Sequence, residues 1–427
     1  MSQIADDRAL LRRLLDAAID RVRPENCVAP FLPGPAAGKT VVVGGGKAGG
    51  AMAAAFETAW AAAGHAPVEG LVVTRYGYAK PTRHIRVVEA AHPVPDEAGL
   101  KATADMLELV RGLGPDDQVI CLLSGGGSAL LTCPAEGVSL ADKQAVTKAL
   151  LRSGAPIQDI NAVRRHLSAI KGGGLARAAG PAKVVTLAIS DVVGDDPLVI
   201  ASGPTVQDPT SAADALAVLD RWKITPPPAI TVHLKKPTQA ESSFPDTDYR
   251  LIATPGQAMK AAAEMARANG LQVMDLGDAL EGEARDLGAR HARLARSLQR
   301  DTQDTLILSG GELTVTVAGE GGQGGPNREY ALGLALALGG AGGITAIAAD
   351  TDGVDGSGEA AGALVDATVW QRARDARISL GAMLAANDSH ACFEALGDLV
   401  ATGPTFTNVN DFRAIIVRSR RERFHAP

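Results

Sequence analysis

"VVVGGGKAGGAMAAA", residues 41–55, decides the fold: three valines enter three glycines, one lysine follows, and small residues of helical composition close the segment. A continuous apolar strand that turns on glycines into a helix is the repeating unit of a parallel sheet covered on both faces. Gly44, Gly46 and Gly49 have the GxGxxG spacing of a dinucleotide turn, in the right context. The acidic residue such a turn wants after the second strand is missing, because "VVTRYG" supplies Thr74 and Arg75 there. Arg75 suits a 2′-phosphate, so an NADPH reading survives in weakened form. A P-loop is excluded, since valine stands at position 41 where its first glycine belongs. What remains is a helix N-terminus with free N–H groups beside Lys47, an arrangement for phosphate or carboxylate.

The same alternation continues outward. "GLVVTR" (70–75), "HIRVVEA" (84–90), "QVICLLS" (118–124) and "AKVVTLAIS" (182–190) read as strands with helical segments between them. Prolines and polar residues interrupt the pattern over 224–248, and it restarts at "RLIATPG". The expected organisation is α/β in two domains, 1–235 and 249–427, with a linker at 236–248 and an active-site cleft between the domains.

Composition narrows the function. The 427 residues carry a net charge of -6, with 46% hydrophobic and 21% charged residues, an ordinary profile for a soluble protein. The acidic balance argues against nucleic acid as the main partner but permits a local basic pocket. Cys27, Cys121, Cys133 and Cys392 show no CxxC spacing, so neither structural zinc nor a disulfide framework is expected. No run reaches the roughly 18–20 uncharged apolar residues of a membrane span. The opening "MSQIADDRALLRRLLDAAID" is amphipathic and unlike a signal peptide. A cytoplasmic protein without a membrane partner is expected.

Further turns carry candidate chemistry. "LLSGGGSALL" (122–131) offers Ser124, Gly125, Gly126, Gly127 and Ser128 after a buried strand; neither serine lies in a GxSxG frame, so an anion nest fits better than a nucleophile. "NAVRRHLSAIKGGGLA" (161–176) puts Arg164 and Lys171 on one helical face. "AISDVVGDDPLVIASGPTVQDPT" (188–210) ends a strand at Asp191 and adds Asp195 and Asp196, positions that suit Mg2+ or a general base. The second half adds Glu312, Asn327, Arg328, Glu329, Asp350, Asp352 and Asp355. Carboxylates without histidine or cysteine favour magnesium over zinc. Each feature also has a bland reading: a first-turn surface lysine, a capping serine or aspartate, a solvated basic face. Together, glycine turns, cations and acidic turns fit phosphoryl transfer, which works by positioning and charge neutralisation.

"GGGKAGGAM", "LLSGGGSALL", "NAVRRHLSAIKGGGLA", "ISDVVGDDPLVIASGPTVQDP", "GGPNREYAL", "DTDGVDG" and "ATGPTFTNVNDFRAIIV" follow in this order. In combination they resemble the class II glycerate 2-kinases, also called the MOFRL or TtuD-like family, some of whose members are labelled hydroxypyruvate reductase. The resemblance covers nearly the whole chain. It implies a Rossmann-like N-terminal domain, a smaller α/β C-terminal (MOFRL) domain, and transfer of the ATP γ-phosphate to the 2-hydroxyl of D-glycerate with a divalent metal such as Mg2+.

Carried over, the family's functional lysine falls on Lys47. Its functional arginine falls on Pro326, so either Arg328, two residues on, or a residue of the first half takes over that role, and Arg328 is the one expected. The expected catalytic residues are Lys47, Asp191 and Arg328. Gly45, Gly46, the turn 124–128, Arg164, Lys171 and Asn327 are expected to hold substrate and phosphate, and Asp191, Glu312 and Asp352 the metal. Three other readings stay open: a kinase for another small hydroxy acid, an NADPH-dependent hydroxypyruvate reductase using Gly44, Gly46, Gly49 and Arg75, and a non-catalytic small-anion sensor. A homodimer is left open.

Overall fold

Strands β1 (Thr40–Gly45), β2 (Glu69–Arg75), β3 (Ile85–Ala90), β4 (Gln118–Leu123), β5 (Lys183–Ile189) and β6 (Thr247–Ala253) form one sheet in the order β3-β2-β1-β4-β5-β6. The pairs β2–β3, β1–β2, β1–β4 and β4–β5 are parallel. Every residue of β4 is buried, as are all but the first of β1 and β5. Strands covered on both faces need continuous apolar runs instead of alternation, which is why these segments read as Val/Ile/Leu stretches. The strand order reverses between β1 and β4, and in open α/β sheets ligands gather at the carboxyl ends of strands flanking such a reversal.

A computed structural model supplies this description and covers residues 3–236, 244–318 and 321–420. The chain divides into two units, Cys27–Ile252 and Met1–Asn26 joined with Ala253–Pro427. In the first unit, the helix Glu97–Val110 is capped by Asp96, which accepts from Gly99 N–H, and buries Ala102, Met106 and Val110 against the sheet. A satellite core of Val146, Leu150, Ile160, Val163, Leu219 and Ile230 gathers four further helices. Capping boxes at Ser139/Asp142 and Ser211/Asp214 start two of them.

The second unit adds β7 (Gln272–Asp275), β8 (Leu280–Glu283), β9 (Thr305–Ser309), β10 (Gly311–Thr314), β11 (Ile344–Asp350), β12 (Gly362–Val365), β13 (Leu399–Val400) and β14 (Asp411–Val417). Its main sheet runs β13-β12-β11-β14-β9-β7, and β8 pairs with β10. β14 lies antiparallel to both β11 and β9 while β7 runs parallel to β9, so this sheet is mixed. The helices Ala284–Leu298 and Pro326–Leu338 pack through Gly288 and Gly333, where a Cβ would overlap the facing backbone.

The units differ from the division expected from sequence at both ends. The helix Gln3–Val22 packs on the helix Pro255–Ala268 and on β11, so it belongs with the second unit. Residues 247–252, assigned by sequence mainly to the C-terminal domain, complete the first sheet. Of the expected linker, residues 237–243 lie outside the described residues. No helix among the described residues is long and apolar enough to cross a membrane.

β1 and β4 meet so closely that a Cβ on Gly44 would overlap the Leu122 backbone, and Gly44 has φ 148°. Gly44→Ala is expected to cost about 3 kcal/mol or more, because neither strand can retreat. Denaturant unfolding of the variant measures it, and unchanged stability would contradict the packing described.

Candidate active site

At the carboxyl end of β1 the chain passes through Gly46 and Lys47 into the helix Gly49–Ala62; at the end of β4, Ser124–Gly126 lead into the short helix Gly127–Leu130. The two turns are bonded to each other. Lys47 N–H donates to Gly125 O (2.7 Å), Ala48 N–H to Ser124 Oγ (3.0 Å), and Ser124 N–H to Gly45 O (3.3 Å). Gly46 N–H donates to Val73 O (3.0 Å). Thr74 Oγ1, on β2, donates to the carbonyls of Gly46 (3.1 Å) and Lys47 (3.2 Å).

This corrects the expectation of free N–H groups at the first turn. The amides of Gly46, Lys47 and Ala48 are engaged within the protein. Gly46 is glycine because a Cβ there would overlap Ser124 Oγ, and a Cβ on Gly45 would press on the Leu131 side chain. Ser124 is buried with its hydroxyl accepting from Ala48, which fixes it as a strut. Gly127 packs on Ala201.

The second turn is the one that keeps donors. The N–H groups of Gly125 and Gly126 have no acceptor among the described residues. Gly126 has φ 77°, and a Cβ on it would stand 3.0 Å from His92 Nε2 and 3.1 Å from Lys47 Cγ. Lys47, His92, Gly126 and Ser128 are partly exposed, whereas Gly45, Gly46, Ser124 and Gly125 are buried. The result is a small concavity of backbone donors between a lysine and an imidazole, suited to an anion. His92 was missed by sequence reasoning. Its one signal was its place just beyond a strand, in "EAAHPVP".

Ser128 Oγ lies 2.7 Å from Ser202 Oγ. Ala201 (φ 52°) and Ser202 (φ 63°) hold left-handed backbone, which costs on the order of 1–3 kcal/mol each and is typical of sites held under strain. Lys171 Nζ donates to Ser128 O (2.7 Å) and Leu131 O (3.3 Å). Past β5, Asp191 is partly buried, Asp196 accepts from Leu198 N–H (2.9 Å), and Asp195 keeps a buried Oδ1 with no hydrogen-bond partner among the described residues.

The other expected residues belong to the second unit. Pro326 occupies the first position of the helix Pro326–Leu338, where its missing N–H is harmless. Arg328 is 0% exposed. Its Nε pairs with Asp355 Oδ2 (2.9 Å), Nη2 donates to Ser357 O (2.6 Å) and to Asp355 O, and Nη1 contacts His390. Asn327 N–H donates to Asp355 Oδ1 (2.9 Å) and its Nδ2 to Asp411 (2.6 Å). Both residues hold the loop 355–357 to the helix. Asp352, 2% exposed, accepts from Val354 N–H (2.8 Å), and Glu312 is exposed on β10. No group of three His, Cys, Asp or Glu among the described residues is arranged to hold a metal. A cavity of about 950 Å3 in this unit, lined in part by Arg267, Gln272 and Arg418, contains none of the candidate residues.

Comparison with known proteins places this geometry in context. Residues 10–235 match a family model described as "Domain of unknown function (DUF4147)", and residues 305–411 match the MOFRL family. An Agrobacterium vitis protein named "Putative hydroxypyruvate reductase" is 51% identical over 416 residues, 96% of this chain and 94% of its own. A Thermotoga maritima protein named "D-glycerate 2-kinase" is 38% identical over 409 residues, 95% of this chain and 97% of its own. The crystal structure of a glycerate kinase from Thermotoga maritima superposes with a TM-score of 0.89 at 36% identity, covering 97% of this chain and 100% of that one.

Arg328→Met is expected to destabilise the second unit by about 3–5 kcal/mol, as breaking a buried ion pair does. Thermal and urea unfolding read this out. A variant of native stability that loses only turnover would favour the catalytic role expected from the sequence.

Proposed function

The chain belongs to the DUF4147–MOFRL family, and we propose that it is an ATP-dependent glycerate 2-kinase whose transferred phosphoryl group sits at the turn 125–126 between Lys47 and His92. The observation that carries this reading is the asymmetry of the two glycine turns. A dinucleotide fold presents the amides of the first βα turn to a pyrophosphate; here those of Gly46, Lys47 and Ala48 are engaged with Val73, Gly125 and Ser124. Arg75, the residue that would meet a 2′-phosphate, stacks on Tyr78, its guanidinium carbon 4.2 Å from the ring centroid. These features favour the kinase name over the reductase name carried by relatives. The choice of the 2-hydroxyl of D-glycerate comes from the relative named D-glycerate 2-kinase.

In this reading the acceptor oxygen displaces ADP from the γ-phosphorus. The Lys47 ammonium and the amides of Gly125 and Gly126 meet the negative charge on the transferring oxygens. The Nε2 of His92, facing the same turn, is placed to take the hydroxyl proton. Mg2+ fits the donor set past β5. Asp195 has an orphaned buried oxygen on a partly exposed turn, Asp191 stands four residues before it, and magnesium takes one or two carboxylates and leaves the rest of its shell to phosphate and water. Bound there, the ion would neutralise charge on the ATP phosphates.

Lys47→Met should lower kcat by about 100- to 1000-fold, the scale for a lost donor to a charged transition state, with unfolding unchanged. A coupled ADP-release assay with D-glycerate, ATP and Mg2+ measures it. Near-wild-type turnover of the folded variant would overturn the role given to Lys47.

A further inference from the structure

Three cations of the first unit, two on the packed helices Leu140–Ser153 and Ile157–His166 and one just beyond the second, have no acidic partner among the described residues. Lys143, on the helix Leu140–Ser153, is only 6% exposed, and no hydrogen-bond acceptor among the described residues meets its Nζ. Lys171 is 3% exposed and reaches only the carbonyls of Ser128 and Leu131. Arg164, on the helix Ile157–His166 and half-buried, contacts Asn161 Oδ1 at 3.2 Å. Its neighbour Arg165 shows the contrast, being paired with Asp208 at 2.6 and 3.2 Å. A buried amine without an acceptor, beside two like charges, is costly in an empty protein and becomes favourable once an anion enters.

We infer that Lys143, Arg164 and Lys171 form the recess that binds the carboxylate of the acceptor acid. The helix Gly127–Leu130 joins this recess to the phosphoryl site: Gly126 precedes its first residue, and Lys171 holds the carbonyl of Ser128 within it and that of Leu131 just beyond its last residue. Four helical residues rise about 6 Å, a span short enough for one small acid to reach both sites. The identity of the acid rests on the kinase reading; the anion site does not.

The electrostatics agree with the geometry. Burial and then the Arg164 charge push the Lys143 amine down to about 7, with the Cys133 thiol acting weakly in the opposite sense. Burial, then Lys143 and Arg164, hold Lys171 well below the ordinary lysine range. A carboxylate raises the pKa of an adjacent amine, so binding at a pH about one unit above that of Lys143 takes up a proton.

The test is calorimetric titration of D-glycerate into the nucleotide-free enzyme, repeated in buffers of different ionisation enthalpy, for wild type, Lys143→Met and Arg164→Met. Wild type is expected to bind with proton uptake. Both variants should weaken D-glycerate by about 10- to 100-fold, the range for a charge-assisted hydrogen bond, and should lose the preference for D-glycerate over its neutral amide. Lys143→Met should keep or raise the melting temperature of the empty protein, since it removes a desolvated amine. If Lys143→Met fails to fold, Arg164→Met carries the comparison. Wild-type affinity in the variants, or no D-glycerate binding by wild type, would overturn the site. Binding that depends on Lys143 in a chain that consumes no ATP would overturn the kinase reading and leave this site standing.

Discussion

Everything at the candidate site depends on the bond between two turns. The Lys47 N–H on Gly125 O and the Ala48 N–H on Ser124 Oγ dock the end of β1 onto the end of β4. This docking requires glycine at 44 and 46, because a side chain at either would force the strands or turns apart. It engages the amides of the first turn within the protein, while Gly126 of the second turn is partly exposed and lies close to Lys47 and His92. One contact therefore sets both what the fold presents and what it withholds.

The consequence is a Rossmann strand order without an available Rossmann site. Strand order alone marks the crevice between β1 and β4 as the place for a ligand. It does not say which ligand, because the same crevice serves dinucleotides, flavins and phosphates on related sheets. The discriminating feature is which amides remain without an acceptor, a matter of a few ångströms in the docking of two loops. Relatives named as reductase and as kinase both match this chain over most of its length.

Much of this was legible in the sequence. Apolar strands ending in glycine turns announced the parallel sheet, and "GGGKAGG" and "LLSGGGS" marked the two loops that meet. The burial of Arg328 is invisible in a motif: Pro326 starts a helix, and Arg328 points into the protein to hold the loop 355–357. Lys143 was passed over because "ADKQAVTKALL" reads as an ordinary amphipathic helix, and only packing shows that this lysine is inside. His92 lacked a motif of its own. The contact-based units differ from the expected division because the helix Gln3–Val22 pairs with segments over 200 residues away, which local composition does not encode.

The most direct measurement of the central claim is calorimetric titration of the wild-type chain with ATP plus Mg2+ and, separately, with NADPH. The docked turns predict saturable binding of ATP and no heat above dilution for NADPH. Tight NADPH binding with no response to ATP would mean that the first turn opens to a pyrophosphate after all, and would contradict the account built on the Lys47 and Ala48 hydrogen bonds.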